Sequence, residues 1–181
     1  MPKLTGERIV LREYRAEDLG EIRKWVNDPA TTRYLSTRFW PAQSMDDSRA
    51  FLERMMQTGL GAFNFVIASR DNERYIGQID LFRVNWQLRC AELGMVIGDV
   101  SDRGMGYGQE ALRLIEGFVF DTLGLERLEL EVHMDNEAAL SCYQKAGFFL
   151  EGVKRHAYFM DGKFCNVGMM SILREEYAGR T

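Results

Sequence analysis

A chain of 181 residues with 46% hydrophobic and 28% charged side chains has the make-up of one folded domain and excludes an intrinsically disordered chain. Its 27 acidic and 23 basic residues leave a formal charge of −4 with no basic stripe, which excludes the usual electrostatic footprint of a nucleic-acid binder. Cys90, Cys142 and Cys165 stand too far apart for a disulfide framework or a zinc cluster, and no apolar run approaches the ~20 residues of a membrane span. No metal is implied. The N-terminal MPKLTGERIVLREY lacks an apolar signal-peptide core, so a cytoplasmic chain with reduced thiols is expected.

Without repeats, low-complexity tracts or linkers, residues 1–181 read as one domain. Glu7 to Leu11 alternates as a short strand. Ala16-Glu17-Asp18 opens a helix carrying Leu19, Ile22, Trp25 and Val26 on one face, and Asn27-Asp28-Pro29 is expected to stop it. Asp46 to Met56 repeats apolar residues at helical spacing. Phe63 to Ala68, Tyr75 to Val84 and Cys90 to Ile97 read as three antiparallel strands, the first two joined by a turn at Asp71-Asn72. A helix follows from about Gly106 to Phe120, then a buried strand from Leu128 to Val132 and a helix from Asn136 to Lys145, stopped by Gly147. Phe149 to Phe159 and Lys163 to Leu173 close the chain as a hairpin around Met160-Asp161-Gly162. The order predicts an α/β domain with a mixed, mostly antiparallel sheet of about seven strands flanked by helices.

The segment Asp99-Val100-Ser101-Asp102-Arg103-Gly104-Met105-Gly106-Tyr107-Gly108-Gln109 lies between a strand and a helix. Glycines there let backbone N–H groups approach an anion, the helix N-terminus adds unpaired donors, and Arg103 adds charge. The spacing is neither the dinucleotide fingerprint, since Gln109 stands where its third glycine belongs, nor a P-loop, since no Gly-Lys-Ser/Thr follows. On spacing alone, a ligand-free glycine turn stands equal to a phosphate loop.

Arg103-Gly104-Met105-Gly106-Tyr107-Gly108 resembles the acetyl-CoA signature of the GNAT N-acetyltransferases, Gln/Arg-x-x-Gly-x-Gly/Ala. Asn136-Glu137-Ala138-Ala139-Leu140-Ser141-Cys142-Tyr143-Gln144-Lys145-Ala146-Gly147-Phe148 is similar to a second motif of that family. The resemblance covers nearly the whole chain and implies a single-domain, acetyl-CoA-dependent N-acetyltransferase. It implies a bulge in the strand before the glycine loop, with Met95, Val96 and Ile97 along the coenzyme's pantetheine arm and the Val96 N–H facing the thioester oxygen. The loop Arg103, Gly104, Met105, Gly106, Tyr107 and Gly108 would hold the pyrophosphate. Tyr143 takes the position of the acid that protonates the leaving thiolate, or else packs against the coenzyme. Asn136 either bonds the coenzyme's amide chain or caps its helix. Glu92 aligns with a glutamate that is the base in some members and structural in others. Cys142 invites an acetyl-cysteine route, but neither His133 nor His156 stands at a diagnostic spacing from it, so direct transfer in a ternary complex is expected.

The acceptor is less legible. Arg8-Ile9-Val10-Leu11-Arg12 and the tail Asp161-Gly162-Lys163 resemble the branch holding ribosomal-protein N-terminal acetyltransferases and spermidine acetyltransferases. Gly77-Gln78-Ile79-Asp80 leans toward the polyamine enzymes, yet the loop after the first helix carries Arg33 and Arg38 and no acid. Tyr34, Phe39 and Trp40 either line an acceptor pocket or anchor that loop, and Asp46 and Asp47 either serve the acceptor or start a helix. A polyamine and a protein N-terminal amine both remain as acceptors, and the alternative to an enzyme is a catalytically inactive acyl-CoA-binding module. An exposed sheet edge would suit a homodimer.

Overall fold

Two strands precede the first helix: β1 (Leu4–Thr5) and β2 (Ile9–Arg12), paired antiparallel through Leu4↔Leu11 and Thr5↔Val10. At two residues β1 is too short to leave a periodic signal, which is why about seven strands were expected and eight are found among the described residues. β2 is buried along its whole length, so its Arg12 needs a partner, and Asp18 supplies one with bonds of 2.8 and 2.9 Å. The computed structural model describes residues 2–57, 59 and 62–180.

α1 (Leu19–Val26) follows a 3₁₀ turn at Ala16–Asp18 and buries Ile22, Trp25 and Val26. Asn27-Asp28-Pro29 ends α1 as expected but also begins α2 (Pro29–Thr32). Asp28 caps the Ala30 N–H, and a proline at the first helical position costs no hydrogen bond. α3 (Met45–Met56) starts in a capping box, with Ser44 and Asp47 each accepting from the other's backbone N–H. Asp47 is thus a helix start.

The rest of the chain is β3 (Phe63–Ser69), β4 (Tyr75–Asn85), β5 (Cys90–Ile97), α4 (Tyr107–Gly117), β6 (Arg127–His133), α5 (Glu137–Lys145), β7 (Phe149–Met160), β8 (Lys163–Leu173) and α6 (Arg174–Ala178). The sheet order is β1-β2-β3-β4-β5-β6-β8-β7. Every pairing is antiparallel except that of β5 with β6, which α4 connects.

Because strand side chains alternate between faces, the sheet carries a core on each. One lies with α4 and α5 and gathers Ile9, Leu11, Phe65, Ile67, Leu93, Leu112, Ile115 and Leu130. The other lies with α1 and α3 and gathers Val10, Val66, Ala68, Trp25, Phe51 and Leu52. Phe39 belongs to this second core, its ring 5.6 Å from that of Trp25 and 5.8 Å from that of Phe51. It anchors the loop and does not line a pocket.

Candidate active site

β5 and β6 pair through only three residues, Cys90↔Arg127, Ala91↔Leu128 and Glu92↔Glu129. Beyond that point β5 stays on β4 as far as Ile97, and β6 stays on β8 as far as His133. The sheet therefore opens into a wedge between Leu93–Ile97 of β5 and 130–133 of β6. The expected bulge in β5 is absent. Its register against β4 runs unbroken from Glu92 to Ile97, and the irregularity lies across the pair, between Phe82 and Asn85, where Arg83 takes φ 51. The free backbone groups come from strand separation instead.

This changes which N–H faces the wedge. Gly98 N–H donates to Ile76 O at 2.9 Å, and the register continues through Val96↔Gln78 and Gly94↔Asp80. The period of two turns the N–H of Val96 and Gly94 toward β4 and those of Leu93, Met95 and Ile97 toward the wedge. The Val96 group expected there is engaged on the other side, and Met95 takes its place.

The glycine loop sits at the mouth of the wedge. Gly104 and Gly106 hold φ of 73 and 84, the left-handed region that glycine adopts without strain. Gly106 caps α4, and the first amide bonded within it is Glu110 N–H, to Gly106 O at 3.1 Å. The N–H groups of Tyr107, Gly108 and Gln109 are the open donors of a helix start. A Cβ on Gly108 would lie 3.3 Å from Met95 Cε and 3.6 Å from Cys142 Sγ, so α4 approaches both β5 and α5 closely. Gln109 ties the helices together by donating to the Cys142 carbonyl and, at 3.2 Å, to its sulfur. Arg103, by contrast, folds back onto Thr31 Oγ1 and the carbonyls of Ile97 and Gly98.

Tyr143 lies on α5 at 7% exposure, its ring 5.8 Å from Phe148. Burial, with Cys142 adjoining, pushes its hydroxyl well above the ordinary phenol range, so it stays protonated. Burial also raises the Cys142 thiol, which disfavours the thiolate that an acetyl-cysteine route requires. Asn136 Oδ1 accepts from Ala139 N–H at 3.2 Å and so caps α5.

Glu92 stands at the fork itself, its side chain 16% exposed and bonded to the exposed Arg83 at 2.6 Å. Burial raises its carboxyl, Arg83 opposes this, and Glu131 and Glu129 add to it. Asp80, which no sequence motif marks for a role, is the most perturbed carboxyl nearby. Burial lifts it to about 7, against hydrogen bonds from Tyr14, the Phe65 N–H and Gln78. Its only signal was an acid inside an otherwise buried strand.

Across the wedge mouth, Tyr34 reaches the Asp135 carbonyl at 3.4 Å and leans on His133, ring centres 5.8 Å apart. His133 stacks on Tyr158 at 4.8 Å, and Trp40 meets Tyr158 at 6.2 Å. Burial lowers the pKa of the His133 imidazole and so favours its neutral form, and its Nδ1 has no partner among the described residues. Both loop arginines are engaged: Arg33 pairs with Asp161 at 3.1 Å, and Arg38 lies over the rings of Phe39 and Phe51. Four residues from distant segments thus make an aromatic wall, of which the sequence indicated only Tyr34 and Trp40.

A mixed sheet forked beside a glycine-started helix is a strand-like slot ending in an anion site, which fits a phosphorylated thiol coenzyme. The family model described as an acetyltransferase (GNAT) domain matches residues 8–149. The chain belongs to the GNAT acetyltransferase family. Among its relatives are the N-acetyltransferase p20 of Bacillus licheniformis, 26% identical over 99% of this chain and 100% of that protein. Spermidine N(1)-acetyltransferase of Escherichia coli K12 is 27% identical over 96% of this chain and 90% of that one. The fold is shared with the spermidine N-acetyltransferase of Vibrio cholerae solved with CoA and spermine, at TM-score 0.83 and 24% identity, covering 96% of this chain and 99% of that one. This GNAT protein is an N-acetyltransferase with acetyl-CoA as its cosubstrate, acting on an amine.

Proposed function

We propose that this GNAT chain transfers acetyl directly to a primary amine of a small polyamine, with Glu92 as base and Tyr143 as acid. The single observation behind this reading is the row of carboxylates leading to the fork. Glu92, Glu129 and Glu131 share one sheet face, and successive positions along β6 are about 7 Å apart, comparable to the amine spacing of a linear polyamine. Cations already lie beside them: Arg83 on Glu92, Arg127 on Glu129 and Lys154 on Glu131. The acceptor's ammonium groups would take the places of the exposed Arg83 and Lys154. The engagement of Arg33 and Arg38 removes the objection that their loop would repel a cation, and a spermidine-acetylating relative supports the same class.

In this reading Met95, Val96 and Ile97 form the wall along the pantetheine arm, the Met95 N–H faces the thioester oxygen, and Gly104 to Gly108 hold the diphosphate. Glu92, whose carboxyl burial raises, takes the ammonium proton; Asp80 is walled in by its three donors. Tyr143 donates to the departing thiolate sulfur, and Asn136 orients α5 beneath it. The cytoplasmic location is part of the same proposal, as is a homodimer through the exposed edge strand β7. No helix of the described residues is long and apolar enough to cross a membrane.

A peptide N-terminus is the second reading, favoured by the aromatic wall of Tyr34, Trp40, His133 and Tyr158, which suits a peptide side chain. Free-thiol release from acetyl-CoA across spermidine, spermine, amino sugars, amino acids and short peptides decides between them. Turnover with spermidine or spermine is the expected result. Turnover with peptides alone moves the protein to the second reading. Coenzyme binding without turnover on any amine removes both.

A further inference from the structure

The glycine loop is held by a residue from the far edge of the sheet. Arg8, immediately before β2, donates through Nη1 to the Met105 carbonyl at 2.8 Å and through Nε to Glu110 Oε2 at 3.1 Å. Its backbone N–H also binds Glu110 Oε1 at 2.8 Å, and Ile9 N–H reaches the same oxygen at 3.3 Å. The carboxylate is thus satisfied largely by main chain. The second guanidinium nitrogen, Nη2, has no protein acceptor among the described residues and lies 3.0 Å from where a Cβ on Gly106 would stand. The guanidinium spans the Tyr107 ring at 5.2 Å, and the side chain is 52% exposed.

The other cations of this corner are committed. Arg103 is folded onto Thr31 and two carbonyls, and Arg74 makes a two-pronged pair with Asp102 at 2.8 and 2.9 Å. A guanidinium with two nitrogens fixed and a third open, beside the unpaired amides of a helix start, has the geometry of a phosphate clamp.

We propose that Arg8 is the cation that meets a phosphate of CoA at this loop, the part that the motif would give to Arg103. The inference rests on the diphosphate lying at the Gly104–Gly108 loop. Two roles combine in the one side chain: Nη1 fixes the Met105 carbonyl and hence the loop's shape, while Nη2 supplies charge. Recognition would then join the first residue of the family match to a loop about 100 residues further along it.

The test is isothermal titration with CoA, which needs no acceptor, alongside thermal melts of each variant. Arg8→Gln keeps a donor for the Met105 carbonyl and loses the charge; it is expected to weaken CoA by about 10- to 100-fold, the worth of one charge-assisted hydrogen bond. Arg103→Met is expected to change it by less than about threefold, as for a residue spent on internal contacts. Should Arg8→Gln melt far below the wild type, Arg8→Lys carries the test, because it keeps the charge but not the fork; a partial loss is expected. Dephospho-CoA separates the two phosphate sources. An Arg8→Gln penalty that persists places the contact on the diphosphate, and one that vanishes places it on the 3′-phosphate. Unchanged CoA affinity in a folded Arg8→Gln protein overturns the proposal, as does a larger loss in Arg103→Met. If CoA binds with Arg8 insensitive, only this inference falls; if CoA binds the Gly106→Val chain normally, the loop reading falls as well.

Discussion

The two faces of the sheet are built on different principles. On the α4/α5 face the core is largely apolar, Glu116 being its buried exception, and the proposed coenzyme slot above it is made of main chain: strand N–H groups, left-handed glycines and a helix start. On the α1/α3 face a polar network runs through the packing, from Trp25 Nε1 to Tyr75 at 2.9 Å, then Gln78 at 3.3 Å and Asp80 at 3.1 Å. Beyond it lie the carboxylate row and the aromatic wall, where, in the proposed function, side chains would recognise the acceptor. Backbone sites tolerate little variation because a Cβ blocks them, whereas side-chain sites can be retuned residue by residue. The coenzyme half is therefore expected to be brittle and the acceptor half graded.

The largest effect should come from Gly106→Val. Its φ of 84 is strained for a β-branched residue, and the new side chain would press on Arg8. A loss of CoA affinity on the order of 10³-fold is expected from several charge-assisted contacts failing together. Titration with CoA reads it, and normal affinity would displace the diphosphate from this loop.

Next come the two proton carriers. Tyr143→Phe is expected to lower kcat by about 10²-fold with CoA affinity nearly unchanged, as for lost acid catalysis. A packing role alone would leave kcat intact. Glu92→Gln should cost about as much, on the order of 10²-fold in kcat/KM, and should also alter the pH profile. Burial raises the Glu92 carboxyl, so the wild-type rate should climb with pH along a limb above the ordinary glutamate range. The variant should lack that limb; a profile identical in both proteins would move the base elsewhere.

How far these sites were legible follows from the same contrast. The glycine loop and the α5 motif are each contiguous in sequence, so their residue order carried the family resemblance and, with it, the roles expected of residues down to Tyr143. Free backbone groups along β5 were expected from the resemblance, but through a bulge that is absent; which N–H faces the wedge depends on register, and a one-residue change in strand phase reverses the answer. Arg8 lies about 100 residues from the loop it holds, and His133 and Tyr158 meet Tyr34 only across the folded sheet. No local pattern encodes such encounters. Pro29 ended α1 as expected, and the short α2 that it also begins went unread because proline both ends helices and begins them.

A smaller, graded change is expected on the acceptor side. Trp40→Leu removes an aromatic face worth about 0.5–1 kcal/mol to a bound cation, so KM for a polyamine should rise about two- to fivefold. KM for acetyl-CoA should stay constant. Equal changes in both would mean that Trp40 supports the fold at large.

The smallest effect separates stability from catalysis. Each side of the sheet has a carboxyl lifted to about 7 by burial, Asp80 on the acceptor side and Glu116 in α4. For such a group the folded chain holds its proton to a higher pH than the unfolded chain, whose glutamate titrates near 4.5. Between those two values the folded state binds more protons, so its contribution to stability falls as pH rises and levels off above about 7. Glu116 pairs with Arg180 at 3.2 Å, has one oxygen without a partner among the described residues, and lies outside the forked slot. Glu116→Gln should therefore raise the melting temperature at pH 8 by about 3–6 °C while changing little at pH 5, given the size of shift that burial produces here. Its pH–rate profile should superimpose on the wild type, because no proton of the reaction passes through α4 at that depth. A profile that shifts with Glu116→Gln would show that the two faces are electrostatically coupled, and the division between a rigid coenzyme half and a tunable acceptor half would have to be redrawn.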